Sequence, residues 1–165
     1  MSATDWIHRT RRNGTGYHPA GERVLHRDRD TGGGEVLVTD RAIHHRPADA
    51  AAWHRLGWEE IHRFRWTPER GLLTLTGLAS ALALRLPPGS RLPGIVQERT
   101  VATVLTASRV ALPCGARARI SARRRPDSGE IIWVAVFGPG VDPDDRTVQS
   151  QLGSIIHGLR TQAGI

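Results

Sequence analysis

Lysine is absent from this sequence of 165 residues, and all 23 of its strongly basic residues are arginine. A Walker A phosphate loop needs a lysine on the phosphates, and Schiff-base chemistry needs a lysine amine, so both classes of function are excluded. Arginine offers instead a planar fork that matches phosphate and carboxylate groups. The formal net charge of +7 is typical of a polyanion binder, and also of a chain that uses its charge for solubility.

Cysteine is almost absent as well. Cys114 is the single thiol, which excludes an intramolecular disulfide and a CxxC or zinc-ribbon site and favours a reducing compartment. Long apolar runs are also missing, because the stretch between Gly71 and Leu86 is interrupted by threonine and serine and ends at a Pro-Pro pair. The sequence therefore predicts a cytoplasmic protein with no membrane span and no cofactor.

The chain has the length of one domain that can bury an apolar core. Its first residues are polar, include Gly14, Gly16 and Pro19, and show no periodic apolar face. This composition predicts a disordered tail over residues 1–20. We expect residues 21–165 to form a single α+β domain.

Two stretches predict hairpins. In "HRFRWTPERGLLTLTG", Phe64 and Trp66 alternate with arginines, which puts the rings in the core and the guanidinium groups in solvent, and Pro68 and Gly71 suit the turn. In "ISARRRPDSGEIIWVAVF", residues 127–129 suit the tip. The strand after that tip is almost wholly apolar, which predicts a central position in its sheet.

Two helices are predicted. Pro93 suits the first turn of a short helix near residues 93–100. Residues 100–112 are rich in β-branched side chains, so helix and strand compete there, and a helix that yields to a strand is favoured. In the last helix Asp142 can cap, Pro143 fits the first position, and Gly164 lies just beyond the end. One apolar stripe recurs at helical spacing along it: Val148, Leu152, Ile155, Ile156, Leu159 and Ala163.

These segments carry a resemblance. "LVTDRAIHHR" followed by "WHRLGWEEIHRFRWTPERGLLTLTG" resembles the strand, turn and Trp-x-x-Ile pattern of bacterial pleckstrin-homology-like domains, in which a small bent sheet is closed by a helix. "TDRAI", "RLPGIVQERTVATVLTASRVALP", "ISARRRPDSGEIIW" and "GVDPDDRTVQSQL" are similar to a group of uncharacterised actinobacterial proteins. The resemblance covers Glu22 to Gly164. It implies a pleckstrin-homology-like bent antiparallel sheet or partial barrel, with the short helix near residues 93–100 and a C-terminal amphipathic helix.

The resemblance leaves the ligand open, because pleckstrin-homology-like domains bind lipid headgroups, peptides or no known ligand. The lipid-binding loop of the eukaryotic domains is led by lysine. Here the corresponding "RDRDTGGGE" alternates in sign, so we expect poor binding of inositol phosphates.

The strongest candidate site is a run of arginines before the second hairpin tip. Arg117, Arg119, Arg123 and Arg125 share parity, so a regular strand places them on one face, with Arg124 on the other. Such a face could bind phosphates with strong salt dependence. The alternative is a solvated outer face. No aromatic side chain interleaves with these arginines to stack on bases.

Catalytic and metal sites are weakly indicated. His44 and His45 are adjacent, so on a strand they point to opposite faces and cannot share one ion. Glu59 and Glu60 diverge for the same reason. Cys114 lies in a loop near Arg117 and is a candidate reactive thiol, with an inert loop cysteine favoured.

The sequence as a whole favours a binding or interaction module that is not an enzyme, with a protein partner as the first expectation. Nucleic-acid or polyanion binding through the arginine-rich strand is the first alternative. An enzyme with a His/Glu site is the second. The sequence does not specify the oligomeric state.

Overall fold

The computed structural model describes residues 17–112 and 115–165. The described residues form two compact units, one that ends at Val101 and one that begins at Ala102. The strands of the described residues pair antiparallel in three sheets that do not close into a barrel, and two α-helices accompany them. The predicted α+β class with antiparallel sheets is therefore confirmed, and the single domain over residues 21–165 stays a prediction.

The first unit contains two sheets whose strands follow one another along the chain. The four-stranded sheet has the order β1 (Val24–Arg29), β2 (Glu35–Thr39), β3 (Ala42–Arg46) and β4 (His54–Gly57). The three-stranded sheet has the order β5 (Arg63–Thr67), β6 (Leu72–Thr76) and β7 (Ala81–Arg85). Since sequence neighbours are also sheet neighbours, local turn chemistry specifies most of this topology.

The predicted hairpin around Pro68 and Gly71 is confirmed as the β5–β6 connection. Pro68 begins a short 3-10 turn, and Gly71 ends it with a φ of 55°, a conformation that glycine adopts far more readily than other residues. Phe64 and Trp66 are half-buried against the core. The arginines that alternate with them are exposed, as the period of two requires.

A single apolar core joins the two sheets of this unit. Its side chains come from the facing sides of both sheets, from the turn after β4 and from the helix that follows β7. Burying each leucine, valine or isoleucine of this kind contributes about 1.5–3 kcal/mol to folding. The members include Val36, Val38, Ile43, Leu56, Trp58, Ile61, Leu73, Leu75, Leu84, Leu86, Leu92 and Val96.

Helix α1 (Leu92–Ala102) contributes Leu92 and Val96 to that core. The prediction of a short helix near residues 93–100 is confirmed. The chain leaves the helix at Thr103 and enters β8 (Val104–Ala111) directly, so the prediction of a helix that yields to a strand over residues 100–112 is confirmed too.

The second unit is built on a three-stranded sheet with the order β10-β9-β8. β9 (Arg117–Arg124) and β10 (Ile131–Phe137) form the predicted hairpin, and Gly129 at its tip has a φ of 73°. The prediction that the apolar strand β10 is central is wrong, because β10 pairs only with β9 in the described residues. A continuous apolar run does not show how many neighbouring strands a strand has, so it does not distinguish a central strand from an outer one.

Helix α2 (Arg146–Ala163) follows the sheet. Its N-cap is Asp145, whose carboxylate accepts hydrogen bonds from the backbone N–H groups of Thr147 and Val148, so the expected cap at Asp142 is wrong. Asp142 instead accepts from the N–H of Asp144 and forms a separate turn before the helix. Gly164 ends the helix with a φ of 67°, as predicted. Among the described residues, no helix is long and apolar enough to cross a membrane.

Gly71→Ala tests the close approach between the β5–β6 turn and the end of β7. A Cβ at Gly71 would lie 2.7 Å from the carbonyl oxygen of Leu86, and the left-handed backbone adds its own cost. We expect the free energy of unfolding to fall by about 2–4 kcal/mol, as measured by urea unfolding.

Gly89→Ala is the matched control. Gly89 also has a positive φ, of 80°, but a Cβ there would meet no atom within 4 Å. It should cost only the backbone term of about 1–2 kcal/mol. Equal losses for the two variants would contradict the steric role of Gly71.

Candidate functional site

Two histidine–carboxylate pairs lie on opposite faces of β3, as the adjacency of His44 and His45 predicts. His44 Nε2 lies 2.9 Å from Glu22 Oε2, and His45 Nε2 lies 2.7 Å from Asp30 Oδ2. Each imidazole thus has its own carboxylate. The two rings are separated by the sheet itself, so they serve different parts of the fold.

Glu22 is the centre of a buried polar network. Its Oε2 accepts hydrogen bonds from the His44 ring and from the Thr39 hydroxyl, and its Oε1 accepts one from Arg55 Nε at 2.9 Å. Burial alone raises the pKa of Glu22, but these hydrogen bonds and the charge of Arg55 outweigh it and lower the pKa from 4.5 to about 2. The carboxylate is therefore held ionised inside the first unit.

Tyr17 lies on the outer side of this network. Its hydroxyl lies 3.4 Å from His44 Nδ1, and its ring stacks on Trp53 with centroids 4.2 Å apart. Burial, followed by the charge of Glu22, raises the pKa of Tyr17 far above its ordinary value. A raised pKa opposes formation of a tyrosinate nucleophile, so we interpret the contacts that link Tyr17, His44 and Glu22 as structural. Tyr17 belongs to the segment predicted as a tail; residues 1–16 lie outside the described residues.

Asp30 organises the β1–β2 loop. Its Oδ1 accepts hydrogen bonds from the backbone N–H groups of Gly32 and Gly34, both at 2.8 Å. Burial raises the pKa of Asp30, but the hydrogen bonds from His45 and from the loop lower it by more, so that the net shift is downward. The His45–Asp30 pair therefore holds a glycine-rich loop in one conformation.

A cleft of about 600 Å³ lies between the β5–β6 turn and the segment after β7. Trp66, Pro68, Pro87 and Pro88 form much of its wall, and its lining is mostly apolar. Its size is that of a small-molecule pocket. The charged residues at its rim, Glu69 and Arg70, have opposite signs, so charge does not select a ligand for it.

The arginine face of the second unit is the candidate that the sequence emphasised most. Arg117 and Arg119 are exposed on β9, and Arg109 on β8 is exposed directly opposite Arg119. In the described ranges 17–112 and 115–165, no carboxylate oxygen lies within 4 Å of these three guanidinium groups. We call these three residues the arginine face.

Arg123 has the same parity as Arg117 and Arg119, but its side chain is buried. Its exposed fraction is 4%, and its Nη1 donates to the Thr103 hydroxyl at 3.1 Å. The expectation that it shares a solvent-facing row with Arg117 and Arg119 is therefore wrong. Parity alone decides which side of the sheet a residue takes, and other parts of the fold decide whether that side is covered at a given point along the strand.

Arg124 and Arg125 are exposed at the hairpin end. Arg125 Nη1 lies 3.5 Å from Glu130 across the tip, with both side chains well exposed. Such a pair is worth little in water. Arg124 lies opposite Ile131, so it projects from the other side of the sheet, as its parity predicts.

Arg109 is the residue that sequence reasoning missed. It stands alone in "TASRVALP", and only the pairing of β8 with β9 brings it beside Arg119. The available signal was its parity within a β-branched run. Cys114 and its expected loop setting lie outside the described residues.

Comparison of the chain with protein-family models, with curated proteins and with solved structures finds no match. The family resemblance stays a prediction. The geometry of the described residues therefore carries the functional argument.

Acidification should weaken the fold through Glu22. Because the folded pKa is lowered to about 2 from 4.5, this group adds stability above pH 4.5, and that stability is lost as the pH falls towards 2. We expect Glu22→Gln to remove roughly 3 kcal/mol at neutral pH and to approach the wild type near pH 2 in urea unfolding.

Glu35→Gln is the control for this carboxylate. Glu35 pairs with Arg46, but both side chains are more than a third exposed, so its loss should cost less than about 1 kcal/mol. A pH profile of Glu22→Gln parallel to that of the wild type would refute the role of Glu22.

The burial of Arg123 gives a second contrast. Arg123→Ala should lower the free energy of unfolding by more than about 2 kcal/mol, because it removes a buried charged group from its hydrogen bond to Thr103. Arg119→Ala, on the same strand but exposed, should stay within about 0.5 kcal/mol. If the two variants lose similar free energy of unfolding in thermal or urea denaturation, the burial of Arg123 does not contribute to stability.

Proposed function

We propose that this chain is a non-enzymatic binding module whose second unit binds a polyanion, nucleic acid in the first instance, through the arginine face. The observation that carries the proposal is the cross-strand pair of Arg109 and Arg119, both exposed and directly opposite each other. Arg117 lies two residues along β9 on the same side.

Like charges directly opposite on neighbouring strands destabilise a sheet, because their Cβ atoms are only about 4.5–5.5 Å apart. No carboxylate of the described residues relieves this pair. A phosphate between the two guanidinium forks would relieve it and could accept hydrogen bonds from both. An arrangement that is unfavourable in the free protein thus becomes favourable in the complex.

The same face favours phosphate contacts over base recognition. Trp133 and Phe137 of β10 lie opposite Ala122 and Ala118, so their rings are on the other side of the sheet from Arg119. Proteins that bind single strands commonly stack the bases on aromatic side chains, and the arginine face presents none from β10. The expected binding is therefore independent of sequence and strongly dependent on salt.

The first unit supports the non-enzymatic part of the proposal. The two histidine–carboxylate pairs of β3 hold backbone segments together: Glu22 contacts Thr39, His44 and Arg55, and Asp30 contacts its own loop. We also propose the pleckstrin-homology-like bent sheet that the resemblance implies for residues 21–165, and the core to which β2–β7 and α1 contribute is compatible with it. The lone cysteine fits a cytoplasmic setting.

The test is binding of a fluorescently labelled single strand and duplex over a salt series, measured by anisotropy. We expect the logarithm of the affinity to fall linearly with the logarithm of salt concentration. Arg109→Glu with Arg119→Glu should lower affinity more than about tenfold at low salt and reduce the slope by roughly two contacts.

Arg63→Glu with Arg65→Glu is the matched control, since it makes the same change in net charge at two exposed arginines of the other unit. It should retain most of the binding. Equal losses would mean that net charge alone is responsible, and absence of binding by the wild type at low salt would refute the proposal.

A further inference from the structure

Strand β10 is an outer strand without the usual protection of an edge. Its sequence, IIWVAVF, has seven residues and contains no charge, no proline and no glycine. Native proteins protect sheet edges with charged side chains, proline, bulges or very short strands, since an open edge pairs readily with another strand. β10 pairs with β9 without a register shift, so it lacks a bulge as well.

The other outer strands of the described sheets are protected. β1 and β8 each contain a register shift, and β4 has only four residues. All of them carry arginine: Arg27 and Arg29 in β1, Arg55 in β4, Arg63 and Arg65 in β5, Arg85 in β7 and Arg109 in β8. The exception at β10 is therefore specific to that strand.

The backbone of β10 shows which groups face the open edge. The N–H of Gly138 donates to the carbonyl of Arg117, and the carbonyl of Glu130 accepts from the N–H of Arg125, both at 2.8 Å. Even-numbered residues of this strand therefore point their backbone groups towards β9. The odd-numbered residues point theirs outward, where no described residue accepts or donates.

We propose that β10 pairs antiparallel with β10 of a second copy of this chain, around a two-fold axis at Val134. This register puts the outward-pointing groups opposite one another: Ile131 faces Phe137 of the second copy, and Trp133 faces Ala135. Each such pair can exchange two hydrogen bonds. The result is one continuous sheet shared by two chains.

The side chains of β10 fit this pairing with themselves. Trp133, the largest, lies opposite Ala135, the smallest, and Ile131 lies opposite Phe137, a β-branched and aromatic combination that stabilises sheets. An isologous contact of this kind is the commonest route to a dimer.

A second copy of β10 is also the best-matched partner for this edge among the outer strands of the described sheets. An uncharged strand of the same length fits this edge best, because it places no further charge beside the apolar side chains of β10. β10 meets both conditions, and each of the other outer strands brings at least one arginine. The pairing leaves β8 free and sets the arginine faces of both chains on the same side of the joined sheet.

Sedimentation velocity of the full chain over about a hundredfold range of concentration tests the proposal. We expect a species of twice the 18.1 kDa of one chain that dissociates on dilution. A monomer throughout the range would overturn the proposal.

Ala135→Pro is the variant aimed at the edge. It removes an outward N–H and leaves the hydrogen bonds to β9 intact, a position where proline is tolerated. It should abolish the dimer, whereas Ala135→Ser, which keeps the N–H, should not. Persistence of the dimer in Ala135→Pro would overturn the proposal.

A second variant decides the question if Ala135→Pro fails to fold. Ile132→Glu with Val136→Glu puts carboxylates beside Arg123 and Arg119 of the same chain, but directly opposite each other between the two copies. Like charges should then dissociate the dimer. A folded double variant, verified by circular dichroism, that still dimerises as the wild type does would overturn the proposal.

A disulfide reports the register. In a Cys114→Ser background, Val134→Cys should form a cross-linked dimer under mild oxidation, because the Cα atoms of a self-opposed pair are about 4.5 Å apart. Val136→Cys is the control, since its two copies would be about 14 Å apart along the strands. Equal cross-linking of the two variants would overturn the proposed register.

Discussion

The first unit depends on one apolar core that neither of its sheets can cover alone. Leu73, Leu75 and Leu84 come from the three-stranded sheet, and they meet Val38 and Ile43 of the four-stranded sheet. Helix α1 covers the rest. The three-stranded sheet buries only one side in this core, so β5 keeps its alternate residues polar, and Arg63 and Arg65 are exposed there at little cost. β2 and β3 are buried on both sides, and Leu37 and His44 occupy the side away from this core.

Outside the apolar core, hydrogen bonds between buried polar groups connect the strands. A buried carboxylate is tolerated only when its oxygens accept hydrogen bonds. Glu22 meets this condition because its oxygens accept from Thr39, His44 and Arg55. The second unit shows the opposite arrangement. Arg109 and Arg119 are like charges left side by side in solvent, and such unfavourable placements point to functional contacts more readily than well-satisfied networks do.

Much of the fold could be predicted from the sequence where local chemistry decides the structure. The hairpins at Pro68–Gly71 and Asp127–Gly129 and the end of α2 at Gly164 follow from turn and cap residues whose preferred dihedrals are local properties. The position of β10, the burial of Arg123 and the pairing of Arg109 could not be predicted in this way. Each depends on which strand lies next to which, and tertiary contacts decide that. The choice of Asp145 over Asp142 as the cap lay between neighbouring residues of the same type, at the scale where helix boundaries are least certain.

The position of Glu22 has a consequence for the order of folding. Glu22 precedes β1, yet its partners lie 17, 22 and 33 residues further along the chain. Loops of this length must close before the carboxylate is satisfied, and contacts of large sequence separation form late. The ribosome releases Glu22 before these partners, so the carboxylate lacks its ion pair until Arg55 has emerged. We therefore expect the contacts of Glu22 to form late in folding, after β4 has been made.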